Sequence, residues 1–314
     1  MRQNHNILAM LFFACLAFVW APSVDAAQVG VAWVGKSSMT LRVVKGFEKG
    51  MADLSPDIKL EYHRELESMD QLSSLAAKWE KEKDGMVLLR SNAAEWLAKN
   101  PPSIPTFIGG CNNPEELGAV KEMGKPDGQI TGVTYYLSVS SQFEIFTAIL
   151  PGMKSVLLLL EKNHPSSRID QENTRKVTEK LGIAYNEKFC ASAEDVVAAV
   201  NAYKDKVSAI IVGNEALTMD NTEAIVKAAG KTPVLSYSSK PVKSGALGGF
   251  AADDEKLGYM LAESVIEIIK KGKTVKEVPV KVDPKPVFFI NTKTAQNIGI
   301  EIPYSILSCA TIID

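Results

Sequence analysis

The sequence is poor in histidine and cysteine, with three His and four Cys among its 314 residues. These side chains supply most transition-metal ligands and many of the bases and nucleophiles that proteins use. No two cysteines have the Cys-x-x-Cys spacing of a zinc or redox site, and no Gly-x-Ser-x-Gly elbow occurs. We therefore expect a protein without a catalytic residue, a metal ion or a cofactor.

An excess of charge of either sign is also missing. The chain has 35 Lys and Arg residues against 37 Asp and Glu residues, for a formal net charge of -2. This balance argues against a strongly basic nucleic-acid binder or a binder of anionic membranes. A hydrophobic fraction of 46% beside a charged fraction of 23% excludes a disordered chain, and the length predicts about two domains.

Residues 1–26 have the pattern of a secretory signal peptide. A short start containing Arg2 precedes an apolar run over 7–21, and small residues follow up to Ala26. The apolar run is shorter than the roughly 20 residues that a membrane-spanning helix needs. The run also continues beyond Cys15, which argues against a lipid anchor there. We expect cleavage after Ala26 and a periplasmic location.

Three cysteines would remain after that cleavage: Cys111, Cys190 and Cys309. An odd number allows at most one internal disulfide and leaves one thiol over. The alternative is three reduced, buried side chains that behave as small apolar residues, and we favour it.

Apolar runs typical of buried strands alternate with amphipathic helical patterns along the rest of the chain. Strands are predicted at 28–34, 58–62, 86–89, 105–108, 130–137, 156–160, up to Phe189, at 207–212 and at 233–236. Helices are predicted at 39–54, around 72–79, at 93–99, 143–150, 171–181, 196–203, 222–229 and 254–271. Two further extended segments, 278–282 and 287–290, flank a turn at 283–286. This alternation predicts an α/β fold of two doubly wound parallel-sheet units, and no linker-like composition separates them.

Ligands of open parallel sheets bind beyond the carboxyl ends of the strands, where loops and helix N-termini converge. In this sequence those loops are rich in Ser, Asn and Gly and poor in acid–base groups. They are residues 35–38, 91–92, 109–113, 162–168, 213–215 and 237–239. Each Ser or Asn taken singly is best explained as a helix N-cap, but the whole set favours a ligand-binding cleft.

Residues 30–37 match the G-x-x-x-x-G-K-[ST] pattern of a phosphate-binding loop. In such a loop the intervening residues form a turn that follows a strand, whereas residues 31–34 are themselves strand-like. Only three residues would precede Gly30 after cleavage, too few for the required strand. We interpret the match as coincidence.

Several segments resemble a known family. Residues 125–133 (KPDGQITGV) are similar to a Pro-Gly-Gly-Asn-x-Thr-Gly-Val stretch. Two further sets of residues match later signatures. They are Val242, Gly245, Ala246, Asp253, Leu257 and Gly258, and then Ile290, Asn291, Ala295, Gly299, Ile300, Ile302 and Pro303. Together, and in this order, they resemble the tryptophan/tyrosine-type substrate-binding proteins of bacterial ABC importers, which have the type I periplasmic binding fold. The chain departs from the family pattern at Asn113, Asp127 and Gln129.

The resemblance implies a two-lobed monomer that closes on a small ligand, an amino acid with an aromatic or other apolar side chain. Its partners would be an ABC permease with its ATPase. Lobe one would hold 27–137 and about 251–277, and lobe two would hold 138–250 and about 278–314. Three crossovers near Leu137, Phe250 and Val278 would join the lobes.

Carried over to this chain, the resemblance also implies ligand contacts. Those of the first lobe are Ser37, Ser38, Ser91, Asn92 and Asn112, and those of the second are Ser166, Ser167, Asn214 and Tyr237, with Asp253 near a crossover. Hydroxyls, amides and helix N-termini would hold a carboxylate. Asp253 or Glu215 would hold an ammonium group, and Tyr237 or Tyr135 would pack on an apolar side chain. The alternative for Asp253 is a charge that caps the helix predicted from residue 254.

Two other functions stay open on the sequence. A ligand-sensing partner of a membrane receptor would use the same cleft without transport. A secreted hydrolase would need a nucleophile such as Cys190 or Cys111 beside a base such as His164. The predicted cleft loops do not supply such a pair, so we rank the hydrolase last.

Overall fold

The computed structural model describes residues 26–314. The predicted signal peptide comprises residues 1–26. Except for Ala26 it lies outside the described residues, and so does Cys15. Within the described chain, no helix combines the length and the apolar character that crossing a membrane requires.

The elements alternate as the sequence predicts. The first are β1 (Gln28–Val34), α1 (Ser38–Leu54), β2 (Lys59–Leu66), α2 (Met69–Glu82), β3 (Gly85–Leu89), α3 (Ser91–Lys99), β4 (Thr106–Gly109) and β5 (Ile130–Gly132). Next come α4 (Val139–Ile149), β6 (Ser155–Glu161), α5 (Pro165–Leu181), β7 (Ala184–Cys190), α6 (Ala193–Tyr203), β8 (Ala209–Val212), α7 (Ala216–Asp220), α8 (Thr222–Ala229), β9 (Val234–Ser236), α9 (Ser239–Lys243) and β10 (Gly248–Ala251). The last are α10 (Asp254–Ile269), a 3-10 turn (Val275–Glu277), β11 (Val287–Asn291), α11 (Thr292–Ile298), α12 (Tyr304–Leu307) and β12 (Thr311–Ile313).

The first sheet is parallel throughout, with the strand order β2-β1-β3-β4-β5. Side chains alternate between its two faces, as they do in any strand. Val31 and Val87 pack with α1 and α10 on one face, whereas Leu88 packs with α2 and α3 on the other. Residues 31–34 lie within β1, which confirms that the phosphate-loop match is coincidental.

Helices α1 and α10 approach each other closely because each carries a glycine at their contact. A Cβ built on Gly46 would lie 1.8 Å from the carbonyl oxygen of Glu255. A Cβ built on Gly258 would lie 2.0 Å from the carbonyl oxygen of Val43. The missing side chains thus let α10, from late in the chain, cover the first sheet beside α1.

The substitution Gly258→Ala is expected to lower the free energy of unfolding by about 2 kcal/mol, because the added methyl group pushes α10 away from α1. This loss exceeds the gain in helix stability of about 1 kcal/mol that replacing a helical glycine by alanine brings. Urea denaturation measures the change, and Gly152→Ala is the matched control, since a Cβ at Gly152 has no atom within 4 Å. Unchanged stability of Gly258→Ala would contradict the close approach.

The second sheet has the order β12-β11-β10-β9-β8-β6-β7. Its pairs are parallel except β10–β11, which is antiparallel, so the predicted fold of two parallel-sheet lobes is confirmed, with one antiparallel pair in the second sheet. The reason is the path of the chain. β10 runs out of the second lobe and β11 returns from the same side, so the two strands point in opposite directions.

Of the two predicted extended segments, 287–290 lies within β11, whereas 278–282 forms no strand and makes a single bridge, between Lys281 and Val133 at the edge of the first sheet. Residues 283–286 connect the two sheets. The strand predicted at 130–137 likewise ends at Gly132, because the chain then leaves the first lobe.

The chain passes between the sheets three times, after β5, after β10 and after Lys281. The buried Asp283 carboxylate ties the last two passages together, since it accepts hydrogen bonds from the Asp253 N–H at 2.9 Å and the Lys256 ammonium at 2.5 Å. Backbone N–H groups of residues 280 and 281 bond to the first lobe. We therefore propose that lobe one comprises 27–133 and 254–281, and that lobe two comprises 138–251 and 286–314.

All three described cysteines are free thiols. Cys111 and Cys190 are buried, as we favoured, but Cys309 is exposed, so that part of the expectation is wrong. The difference arises because Cys309 follows α12, a helix without buried residues near the edge strand β12.

Candidate functional site

The carboxyl ends of the two sheets face each other across a cavity of about 20 Å³. Its lining residues come from the starts of α1, α3 and α5, from the loops after β4 and β8, and from the first passage between the lobes. They are Ser37, Met39, Arg90, Ser91, Gly110, Tyr135, His164, Asn214, Ala216 and Met219. This is the place that the topology of open parallel sheets predicts for a ligand.

Four helices begin at the cavity: α1, α3, α5 and the short α7, whose residues Ala216 and Met219 line it. Ser37 caps α1 by accepting a hydrogen bond from the Thr40 N–H at 3.3 Å, and His164 caps α5 by accepting one from the Ser166 N–H at 3.2 Å. Arg90 occupies the N-cap of α3 but makes no side-chain capping bond. Free N–H groups and helix dipoles at one point favour an anionic group.

Serines of the two lobes meet beside the cavity. The hydroxyl oxygen of Ser91, in lobe one, lies 2.9 Å from that of Ser166, in lobe two, and both are buried. The Tyr135 hydroxyl lies 3.2 Å from the same Ser166 oxygen, and the Asn112 N–H donates to Ser91 at 3.0 Å. The lobes are thus in direct polar contact around the cavity.

A buried carboxylate, Asp170 on α5, also joins the lobes. It accepts a hydrogen bond from the Asn112 side-chain amide of lobe one at 3.0 Å. Within its own lobe it accepts from the Asn214 backbone N–H at 2.9 Å and from the Asn214 side-chain amide. Burial raises the pKa of Asp170 to about 6, against the lowering effect of these bonds.

Glu215 is buried behind the cavity. The Ser167 hydroxyl lies 2.7 Å from the Glu161 carbonyl oxygen and 2.9 Å from a Glu215 carboxyl oxygen. Burial, with the nearby charge of Asp170, raises the pKa of Glu215 well above its usual value. Glu215 also accepts a hydrogen bond from the Thr218 hydroxyl at 3.3 Å, so side chains of its own lobe hold its carboxyl group, and it does not line the cavity.

The sequence-predicted residues therefore fall into three groups. Those that line the cavity are Ser37, Ser91 and Asn214. Those that lie directly behind it, in hydrogen bonds with lining residues, are Asn112, Ser166 and Ser167. Those that the structure places elsewhere are Ser38, Asn92, Tyr237 and Asp253.

Each member of the last group has another partner. Ser38 accepts a hydrogen bond from Lys240 at 3.2 Å, and the Asn92 side-chain oxygen accepts from the Ala93 N–H at 2.9 Å. Tyr237 is buried in the core of lobe two, where its hydroxyl lies 2.7 Å from that of Thr174. Asp253 caps α10 by accepting hydrogen bonds from two backbone N–H groups, at 3.0 and 3.1 Å. Tyr237 and Asp253 thus have partners within the protein and do not line this cavity.

Sequence reasoning missed Arg90 as a lining residue. Its φ of 82° lies in the left-handed region, which costs a non-glycine residue about 1 kcal/mol or more. The bend directs the side chain against the β1–α1 loop, where the guanidinium donates a hydrogen bond to the Val34 carbonyl oxygen. The sequence does contain a signal for Arg90: it is a positively charged residue directly after the buried strand predicted at 86–89.

The electrostatics of the cavity follow from burial. Burial lowers the pKa of His164 to about 4, and the nearby positive charge of Arg90 adds to this effect, so the imidazole is neutral at neutral pH. Burial also raises the pKa of Tyr135, which keeps its phenol protonated. The arrangement offers one cation, neutral donors and two Met side chains, which suits a small ligand with a carboxylate and an apolar part. In residues 26–314, no group of three or more His, Cys, Asp and Glu residues is arranged to hold a metal ion.

Two α/β lobes with a polar cavity between their strand ends define a two-lobed ligand-binding protein of the type I periplasmic fold. Residues 28–313 match the family described as ABC transporter substrate binding protein, and the chain belongs to that family.

Relatives and solved structures agree with this assignment. A tyrosine-binding protein from Clostridioides difficile (strain R20291) is 25% identical over 281 residues, which are 87% of this chain and 81% of that protein. A domain from Streptococcus pneumonia in complex with L-Trp superposes with a TM-score of 0.81 at 23% identity, covering 92% of this chain and 99% of that one. The ligand-free, open structure of a substrate-binding protein with adhesive properties from Clostridium difficile has a TM-score of 0.73 at 21% identity, covering 92% and 99%.

Proposed function

We propose that this protein is an exported, non-catalytic solute-binding protein that delivers a small ligand to an ABC permease with its ATPase. The ligand class is an amino acid with an aromatic or other apolar side chain. The observation that carries the proposal is the cavity at the carboxyl ends of both sheets, which is lined by neutral polar groups, one cation and apolar side chains of both lobes. The tyrosine-binding relative and the L-Trp complex support the same ligand class.

Ligand capture requires the lobes to separate. A cavity of about 20 Å³ has room for about one water molecule and none for an amino acid. The three neighbouring passages of the chain form the hinge, and the Ser91–Ser166 and Asn112–Asp170 contacts belong to the closed arrangement. A ligand that touches both lobes binds the closed form more tightly than the open form and so shifts the population towards closure.

Titration calorimetry of the mature protein against the amino acids tests the ligand class. We expect saturable binding of one ligand per chain by at least one aromatic or apolar amino acid. Small-angle scattering should then show a smaller radius of gyration with that ligand than without it. Absence of binding by every amino acid would reject the ligand class.

The transport role needs a separate measurement. Uptake of the labelled ligand should be lost in a strain that lacks this protein and restored by the wild-type chain. Normal uptake in the deletion strain would instead favour a ligand-sensing partner of a membrane receptor.

A further inference from the structure

The position of Arg90 is unusual for a charged residue. Its backbone is in the left-handed region, with a φ of 82°, at the junction of β3 and α3. The strained turn brings the guanidinium to the wall of the cavity, close enough to Gly35 that a Cβ there would lie 2.9 Å from a guanidinium nitrogen. A backbone strain that serves to place one side chain in a cleft points to a role for that side chain.

The guanidinium has hydrogen-bonding capacity left over. Of its five N–H groups, one donates to the Val34 carbonyl oxygen, and among residues 26–314 it forms no ion pair. Two carboxylates, those of Glu161 and Asp220, act on the Arg90 guanidinium through their negative charge, and both already have other partners. Glu161 accepts a hydrogen bond from the Leu217 N–H at 3.1 Å, and Asp220 pairs with Lys240 at 2.5 Å.

The remaining lining residues carry no charge. They are serine, asparagine, tyrosine, methionine, alanine, glycine and the neutral His164. The two carboxyl groups nearest to the cavity from behind, Asp170 and Glu215, are buried and held by side chains of the protein. The cavity therefore offers one full charge, a positive one, as the partner for a negative group. An ammonium group would find only neutral acceptors there, such as the buried Asn214 side-chain oxygen, which has no hydrogen-bond partner among residues 26–314.

We propose that Arg90 is the anion-binding residue of this site, and that the carboxylate of the ligand, which pairs with Arg90, contributes more to binding than the ammonium group does. The carboxylate accepts hydrogen bonds from the guanidinium beside the starts of α1 and α3, while Met39, Tyr135 and Met219 surround the apolar part. The inference rests on the proposed solute-binding function and predicts a preference for the carboxylate: 2-hydroxy, 2-oxo and unsubstituted acids should retain binding, whereas the amino-acid amide should not bind.

A matched ligand series tests this preference by calorimetry. For phenylalanine, tyrosine, tryptophan and leucine side chains, the amino acid is compared with its 2-hydroxy acid, its 2-oxo acid, the unsubstituted acid and the amino-acid amide. We expect the three acids to bind wild-type protein no more than tenfold weaker than the amino acid, and the amide not to bind. Arg90→Gln should weaken the acids by about 30-fold or more, since one partner of a buried charge pair is lost.

Two further variants separate a binding role from a structural one. Arg90→Gly relieves the left-handed backbone, so its unfolding midpoint should rise while its affinity for the acids falls. Arg90→Lys keeps the charge without the planar fork and should fall between wild type and Arg90→Gln.

The outcomes separate the two proposals. If amino acids bind but their desamino acids bind more than tenfold weaker, or if Arg90→Gln changes affinity by less than threefold, the inference is wrong and the solute-binding proposal stands. If no acid, amino acid or amide binds wild-type protein, the proposed ligand class fails and the inference fails with it.

Discussion

Ser166→Phe is expected to hold the two lobes apart and to weaken ligand binding by about 100-fold or more. Ser166 is fully buried between Ser91 and Tyr135, which contact it across the cavity at 2.9 and 3.2 Å. A phenyl ring does not fit into that space, and overpacking of a closed interface costs up to about 3 kcal/mol, which corresponds to about 100-fold in affinity. The separated lobes leave the ring in solvent, so the free energy of unfolding should change little.

Ser166→Ala is the matched control for this substitution. It removes the hydroxyl group without adding volume, and the loss of a neutral hydrogen bond costs about 1 kcal/mol, or less than tenfold in affinity. Calorimetry measures both affinities, and scattering should show a radius of gyration for Ser166→Phe that no longer falls when ligand is added. Tight binding by Ser166→Phe would show that closure at these serines is not part of capture.

Wild-type protein is expected to lose stability relative to Asp170→Asn as the pH rises from 4 to 7. The pKa of Asp170 is about 6 in the folded protein, raised by burial from 3.8. The folded state therefore holds the proton more tightly than the unfolded state, so this contribution is present at low pH and is lost as the pH rises through 6. Between pH 4 and 7 the difference in free energy of unfolding should shift by roughly 2–3 kcal/mol.

Urea denaturation at pH 4, 5, 6 and 7 measures this shift, and only the difference between the two proteins is interpreted. Two other carboxyl groups act on Asp170: the buried Glu215 interacts with it, and the charge of Glu116 raises its pKa. The pair of variants is therefore repeated in a Glu215→Gln background, where the shift should keep its sign. A difference that is constant over the pH range would mean that Asp170 titrates alike in the folded and unfolded states.

The sequence predicts the fold well where apolar periodicity decides the structure. The bounds of β1 are those predicted, and α8 (Thr222–Ala229) and the start of α10 also agree. A continuous apolar run or a helical apolar stripe predicts a buried strand or helix from neighbouring residues alone. The short strand β12 and the bridge at Lys281 depend on pairing with distant strands, so no local pattern distinguishes them.

The candidate site is predictable only in part, for a related reason. The loops that follow the strands are known once the strands are, and this is how Ser37, Ser91 and Asn214 are found. The direction of a side chain within a loop depends on backbone angles and on long-range partners. Tyr237 turns into the core of lobe two towards Thr174, and the left-handed φ of Arg90 turns its side chain to the cavity.

The pairing of α1 with α10 sets an order of events during synthesis. The ion pair between Arg42 and Asp254 joins positions that are 212 residues apart, and α10 covers the face of the first sheet that also packs on α1. Until residue 269 has left the ribosome, α1 alone covers that face, and the apolar surface that α10 later covers stays exposed. The lobe that emerges first is therefore completed late, and most of the second lobe has the opportunity to fold before it.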